Sequence, residues 1–146
     1  VAFVTVADGS STAADPAADA TVELTEMQFI VSDGGLASGP TRIKLSNIGT
    51  IAHEFQVLAV PDGTTTDEIL ALFALPDNAT PPADDPLATA LVDYKVAAAM
   101  SILGAGLTAW LDTDLEPGTY ALLCMLPFPG GVPHAMEGMV DVVTIG

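Results

Sequence analysis

Cationic side chains are nearly missing from this chain: Arg42, Lys44 and Lys95 stand against 19 acidic residues, a formal charge of −16 over 146 residues. A field of that sign repels nucleic acid and anionic membrane surfaces and attracts basic partners over a range set by ionic strength. The same composition also serves solubility, including in high salt. Cysteine is as scarce. With Cys124 alone there is no intramolecular disulfide framework, and its thiol is either buried and inert or committed elsewhere, for example to a metal. No run of about eighteen or more uncharged apolar residues occurs, so nothing reads as a bilayer span. The apolar stretch Val96–Leu111 is too short and is broken by Gly104 and Gly106. Several catalytic signatures are also missing: a phosphate-cradling glycine loop, a Gly-x-Ser-x-Gly elbow and a Cys-x-x-Cys pair. With His53 and His134 as the two histidines, a Cys–His hydrolase can be imagined around Cys124, but nothing marks an oriented imidazole or an oxyanion hole. The chain does not read as an enzyme.

What is present suits one folded domain. Half of the residues are apolar, and 146 residues are enough to bury roughly two-thirds of the unfolded surface in a single core. The chain begins at Val1 without a basic leader, which suggests that a signal or anchor segment preceded it and places the protein outside the cytoplasm: periplasmic, secreted or anchored to an outer membrane surface. Gly9–Ala20, rich in Ala, Ser, Asp and Pro, reads as part of a flexible tail over residues 1–20, leaving residues 21–146 as the domain.

The patterning is β-rich. Val22 and Leu24, then Met27, Phe29 and Val31, alternate with polar residues, and the phase slips at Thr25-Glu26 as a bulge would cause. Arg42–Leu45 alternates up to a turn at Asn47-Ile48-Gly49. From there His53, Phe55 and Val57 share one face of a strand while Glu54 and Gln56 share the other, which points the imidazole inward. Gly106–Leu111 and Thr119–Met125 read as later strands joined by a turn at Glu116-Pro117-Gly118. Thr65 with Glu68 is a capping-box signal for a short helix carrying Ile69, Leu70, Leu72 and Phe73 and stopped by Pro76. A second helix follows Asp85-Pro86 through Leu87 and Leu91. Residues 61 to about 105 thus read as a partly helical insertion between sandwich strands. Tyr120 is expected to anchor a corner through its hydroxyl, and Trp110 to fill the core between sheets.

His53, Cys124, His134 and Met139 carry the chemistry. Singly, each has an ordinary reading as a core or loop residue, Met139 above all, since Met is a routine gap-filler. Together they supply two imidazoles, a thiolate and a thioether, the donor set of a trigonal His₂Cys copper centre with a weak axial Met. The soft thiolate bonds the metal covalently, the imidazoles suit either oxidation state, and the long thioether contact lets the charge change with little ligand movement.

Two stretches resemble the cupredoxins, the small blue copper proteins. Ser46–Phe55 is similar to the family's Asn-x-Gly turn leading into the strand that opens with the first His ligand. Glu116–Cys124 is similar to its Pro-Gly-x-Tyr-x-x-x-Cys strand, followed by Pro133–Met139; Glu23–Leu45 and the last strand, Met139–Ile145, match more loosely. The resemblance implies an all-β, Greek-key β-sandwich binding one type 1 copper ion through His53, Cys124, His134 and Met139. It also favours Met139 over the nearby Met125 and Met136, because four residues separate it from His134. It implies that electrons leave through His134, within an apolar rim of Phe128, Pro129, Pro133, Met136 and Ile51. Two features depart from the family. Nine residues separate Cys124 from His134 where compact members have two to four, and Glu54 follows His53 where several members carry an Asn that ties the ligand loops together.

The expected function is one-electron carriage between redox partner proteins, basic ones among them. The alternative on the same scaffold is Cu(I) storage or delivery, for which Met125, Met136 and Met139 are suitable soft donors. A third reading is a metal-free interaction domain that keeps the scaffold.

Overall fold

Period-two alternation builds the first sheet. The computed structural model, which describes residues 14–76 and 79–146, turns Val22 and Leu24 inward from strand β1 (Ala20–Thr25) and Phe29 inward from β2 (Gln28–Val31). β1 runs parallel to β3 (Gly39–Asn47), which buries Thr41, Ile43 and Leu45, and β3 pairs antiparallel with β6 (Thr108–Leu115). The strand order is β2-β1-β3-β6. The second sheet has the order β5-β4-β7-β8, from β4 (His53–Val60), β5 (Val96–Leu103), β7 (Gly118–Leu123) and β8 (Val140–Ile145), with all neighbours antiparallel.

The inner faces meet over Leu24, Phe29, Ile43, Leu45, Phe55, Val57 and Leu122, and the Phe29 and Phe55 rings pack edge to face at 5.7 Å. Each such side chain, once buried, contributes about 1.5–3 kcal/mol. The outer face of the second sheet is covered as well. Helices α1 (Thr66–Phe73) and α2 (Pro86–Asp93) lay Ile69 and Leu87 over Leu58, Val60, Ala121 and Leu123. β7 is therefore buried on both sides, which accounts for its unbroken apolar run Tyr120–Leu123. Both caps follow the sequence reading: Thr65 and Glu68 exchange capping-box bonds, and Asp85 caps α2 ahead of Pro86. Tyr120 donates its hydroxyl to Glu116 O at 2.8 Å, the expected corner.

Four expectations change. The phase slip near Glu26 is a hairpin rather than a bulge: Thr25 pairs with Gln28, and Met27 makes the turn at φ 57° without the glycine that usually signals one. Val96–Leu103, expected within the insertion, is the edge strand β5, so the helical part ends with α2. The strand expected over Gly106–Leu111 is β6, which starts at Thr108 because Gly106, at φ 73°, belongs to the preceding turn. Trp110 lies outside the core, on the outer face of the first sheet opposite Lys44, whose ammonium sits 5.6 Å from its ring centre. The expected tail over residues 1–20 falls mostly outside the described residues. Of the remainder, Asp15 pairs with Lys44, Asp19 accepts Arg42 N–H, and Ala20 already belongs to β1.

Candidate metal centre

A buried amide and an exposed carboxylate at one pole of the sandwich brace the turn that leads into His53. The Asn47 side chain, 1% exposed, donates to Ile51 O and to Leu103 O, both at 2.8 Å, and accepts Gly49 N–H at 3.0 Å. It thereby ties the β3–β4 turn to the end of β5, opposite His53 in the sheet. From the β1–β2 turn, the Glu26 carboxylate accepts both Thr50 N–H and the Thr50 hydroxyl, and these bonds hold its pKa down at about 2. A Cβ on Gly49 would lie 2.9 Å from that carboxylate, so glycine here lets it approach the turn.

The other ligand candidates come from the β7–β8 connection. Cys124 N–H donates to Met139 O, Ala135 N–H to Cys124 O, His134 N–H to Leu126 O and Met139 N–H to His134 O. The nine-residue spacer does not push Cys124 and His134 apart, because it closes on itself. Phe128 N–H bonds Val132 O, Gly131 N–H bonds Phe128 O, and Pro127 bridges to Pro133. Gly130 and Gly131, at φ 122° and 94°, make this reversal. A single 3₁₀ turn, His134–Glu137, then leads to β8.

The two segments meet in the interior. His134 Nδ1 lies 3.3 Å from Cys124 Sγ and 3.2 Å from His53 Nδ1, and the three donor atoms all lie within 4.8 Å of one another. Cys124 and His53 are fully buried and His134 is 2% exposed, its ring 4.2 Å from that of Phe128. Among the described residues no other group of three such donors converges in this way. Donor atoms sharing one ion at about 2.0–2.3 Å stand at separations of this order, so the cluster fits a single soft-to-borderline metal ion. Its chemistry fits too. Burial lowers the pKa of both histidines, with the neighbouring His134 adding to the effect on His53, so the imidazoles are held neutral and able to donate. Burial raises that of Cys124, opposed by N–H groups of Glu54 and Leu126, so the thiol gives up its proton when a cation replaces it. The Glu54 N–H lies 3.4 Å from the sulfur. His53 Nε2 is buried without a partner among the described residues, which leaves that ring dependent on packing and on its Nδ1 side.

The methionines separate by environment. Met139 is fully buried in the core cluster that contains Cys124, whereas Met125 packs on the helix side of the second sheet and Met136 is 47% exposed. Asn47, Glu26 and Glu54 were not picked out as functional by their sequence. Asn47 was visible only as part of an Asn-x-Gly turn, and Glu54 only as a departure from the family. The tie expected of an Asn at that position is made by the Glu54 carboxylate, which accepts Met125 N–H at 2.8 Å.

No protein-family model matches the chain, and no curated protein matches it in sequence. Among solved structures it is similar to a reduced auracyanin from the photosynthetic bacterium Roseiflexus castenholzii, at 22% identity and a TM-score of 0.50 over 86% of this chain and 94% of that one. It is similar also to auracyanin B, at 21% identity and a TM-score of 0.51 over 94% and 96%. The likeness is one of architecture: the chain has the cupredoxin fold.

Proposed function

We propose that this protein holds one copper ion and carries single electrons between redox partners outside the cytoplasm. The observation that supports this most is the convergence of Cys124 Sγ, His53 Nδ1 and His134 Nδ1 in a fully buried cluster. Copper, when bound, supplies a one-electron couple. His53 and His134 would donate imidazole nitrogens, Cys124 a thiolate, and Met139 a thioether, the last favoured by its place in the same core as Cys124. These residues also keep their positions, because Asn47 and Glu26 brace the His53 side and the main-chain lattice braces the loop. Little movement on a change of charge is what fast electron transfer needs.

Burial favours carriage over catalysis, since no donor offers a face through which a substrate could reach the metal. Electrons are proposed to cross at His134, beneath Phe128 and a rim of exposed Pro129, Val132 and Met136. Each of the three cationic side chains already sits against an acid, in the pairs Arg42–Asp112, Lys44–Asp15 and Lys95–Asp93. The acidic surplus is thus free to steer a basic partner. No helix among the described residues is long and apolar enough to cross a membrane. Storage or delivery of Cu(I) is less favoured, because Met125 packs against the helix-side cluster and Met136 is 47% exposed, while the donors lie buried. Voltammetry of the copper-loaded protein distinguishes the two. A carrier gives a reversible one-electron wave with the metal retained over repeated cycles, and loss of copper on reduction would contradict carriage.

A further inference from the structure

We propose that Glu54, Gln56 and Tyr94 form a positioning relay by which the helical insertion holds the Cys124 segment of the metal centre in place. A single Glu54 oxygen, Oε1, accepts Met125 N–H at 2.8 Å and the Gln56 side-chain amide at 2.8 Å. The Gln56 amide oxygen in turn accepts the Tyr94 hydroxyl at 2.5 Å. At the inner end, the main-chain N–H of Glu54 points at the Cys124 sulfur, 3.4 Å away. The chain of contacts therefore runs from the Cys124 sulfur, along the outer face of β4, to the residue at which α2 ends.

Two further features show that the arrangement is built rather than incidental. On the outer face of β4, Leu58 and Val60 lie under α1 and α2, whereas Glu54 and Gln56, nearer the candidate metal centre, are half-buried, and Gln56 meets the insertion through Tyr94. Tyr94 also caps α2 in the left-handed conformation, φ 48° and ψ 49°, where glycine is the usual occupant and a bulky side chain is strained. Such a conformation persists where surrounding contacts over-determine it, and the phenol's bond to Gln56 is one such contact. A carboxylate at position 54 can receive both N–H groups on one atom, in charge-assisted bonds roughly twice as strong as neutral ones. The Cys124 end of the ligand loop, which has main-chain ties to Ala135 and Met139, thereby gains a tether from outside the loop.

The copper reading enters only where metal is added, so the test has two steps. In the metal-free full chain, amide exchange at Met125 is compared among the parent, Tyr94→Phe, Glu54→Ala and Glu54→Gln. Loss of a tether should speed exchange about fivefold or more in Tyr94→Phe and Glu54→Ala, while Glu54→Gln, which keeps an acceptor oxygen but loses the charge, should fall between the parent and Glu54→Ala. After copper loading, Tyr94→Phe should also shift the visible band relative to the parent. Met125 exchange within about twofold of the parent in a folded Tyr94→Phe variant overturns the relay, even if Glu54→Ala fails to fold. Accelerated exchange in a protein that takes up no copper leaves the relay standing and removes the copper reading; unchanged exchange in a protein with an intense visible band does the reverse.

Discussion

The turn leading into His53 is braced by side chains from elsewhere in the sandwich, whereas Cys124, His134 and Met139 hold one another through the main chain. Asn47 links the turn before His53 to β5, and Glu26 clamps that turn from the β1–β2 hairpin. In the loop, Cys124 bonds Met139, Ala135 bonds Cys124 and Met139 bonds His134. The place of His53 is thus a property of the whole sandwich and exposed to distant damage. The other three form a local unit that tolerates a long spacer, because Pro127–Pro133 closes on itself as a small hairpin.

Asn47→Ala should break the first arrangement most severely. It strips donors from the carbonyls of Ile51 and Leu103 and an acceptor from Gly49 N–H, at a cost of about 2–4 kcal/mol, measured by urea unfolding of the metal-free protein. A loss below about 1 kcal/mol would mean that the turn does not need this side chain.

Acidification probes both arrangements at once. His53 and His134 have folded pKa values lowered from 6.5, so the unfolded chain binds protons first and stability falls as pH drops below that value. The melting temperature of the metal-free protein should therefore decline steadily below about pH 6.5, and replacing either histidine with Gln should flatten the decline. A melting temperature that rises on acidification would show that the imidazoles are charged in the fold.

Gly131→Ala should disturb the local unit alone. At φ 94° an L side chain is strained, which costs about 1 kcal/mol and should raise amide exchange at Phe128 and Val132 without altering it at Thr50. Glu26→Gln is expected to have the smallest effect, since the carboxylate is exposed and screened by salt. Its pKa is lowered from 4.5 to about 2, so the stability it contributes is present above pH 4.5 and lost as pH falls toward 2. The variant should match the parent's pH dependence down to about 4.5 and be flatter below it, as followed by acid titration of the melting temperature.

The parts of this molecule that were readable from sequence are those set by local periodicity and by rare residue types. The inward phase of His53, Phe55 and Val57 follows from alternation, α1 from Thr65 and Glu68, and the ligand candidates from a lone Cys among two His. What escaped depends on partners distant in the chain or on atypical residues in turns. Met27 turns a hairpin without glycine, and the Ala-rich β5 is an edge strand, exposed along most of its length and lacking an apolar alternation to read. Trp110, on β6, lies outside the core, where its neighbour across the sheet is Lys44 of β3. Glu54 reads in the sequence only as a departure from the family's Asn, with the tie either made otherwise or absent; only the approach of Met125 N–H, 71 positions away, shows that a carboxylate makes it.

The most direct test of the central claim is a visible and paramagnetic-resonance spectrum of the oxidised, copper-loaded protein beside that of Cys124→Ser. Convergence of the Cys124 thiolate with His53 and His134 on one ion predicts an intense thiolate-to-copper band with narrow hyperfine splitting, both absent from the variant. Weak ligand-field bands alone, identical in the two proteins, would contradict it.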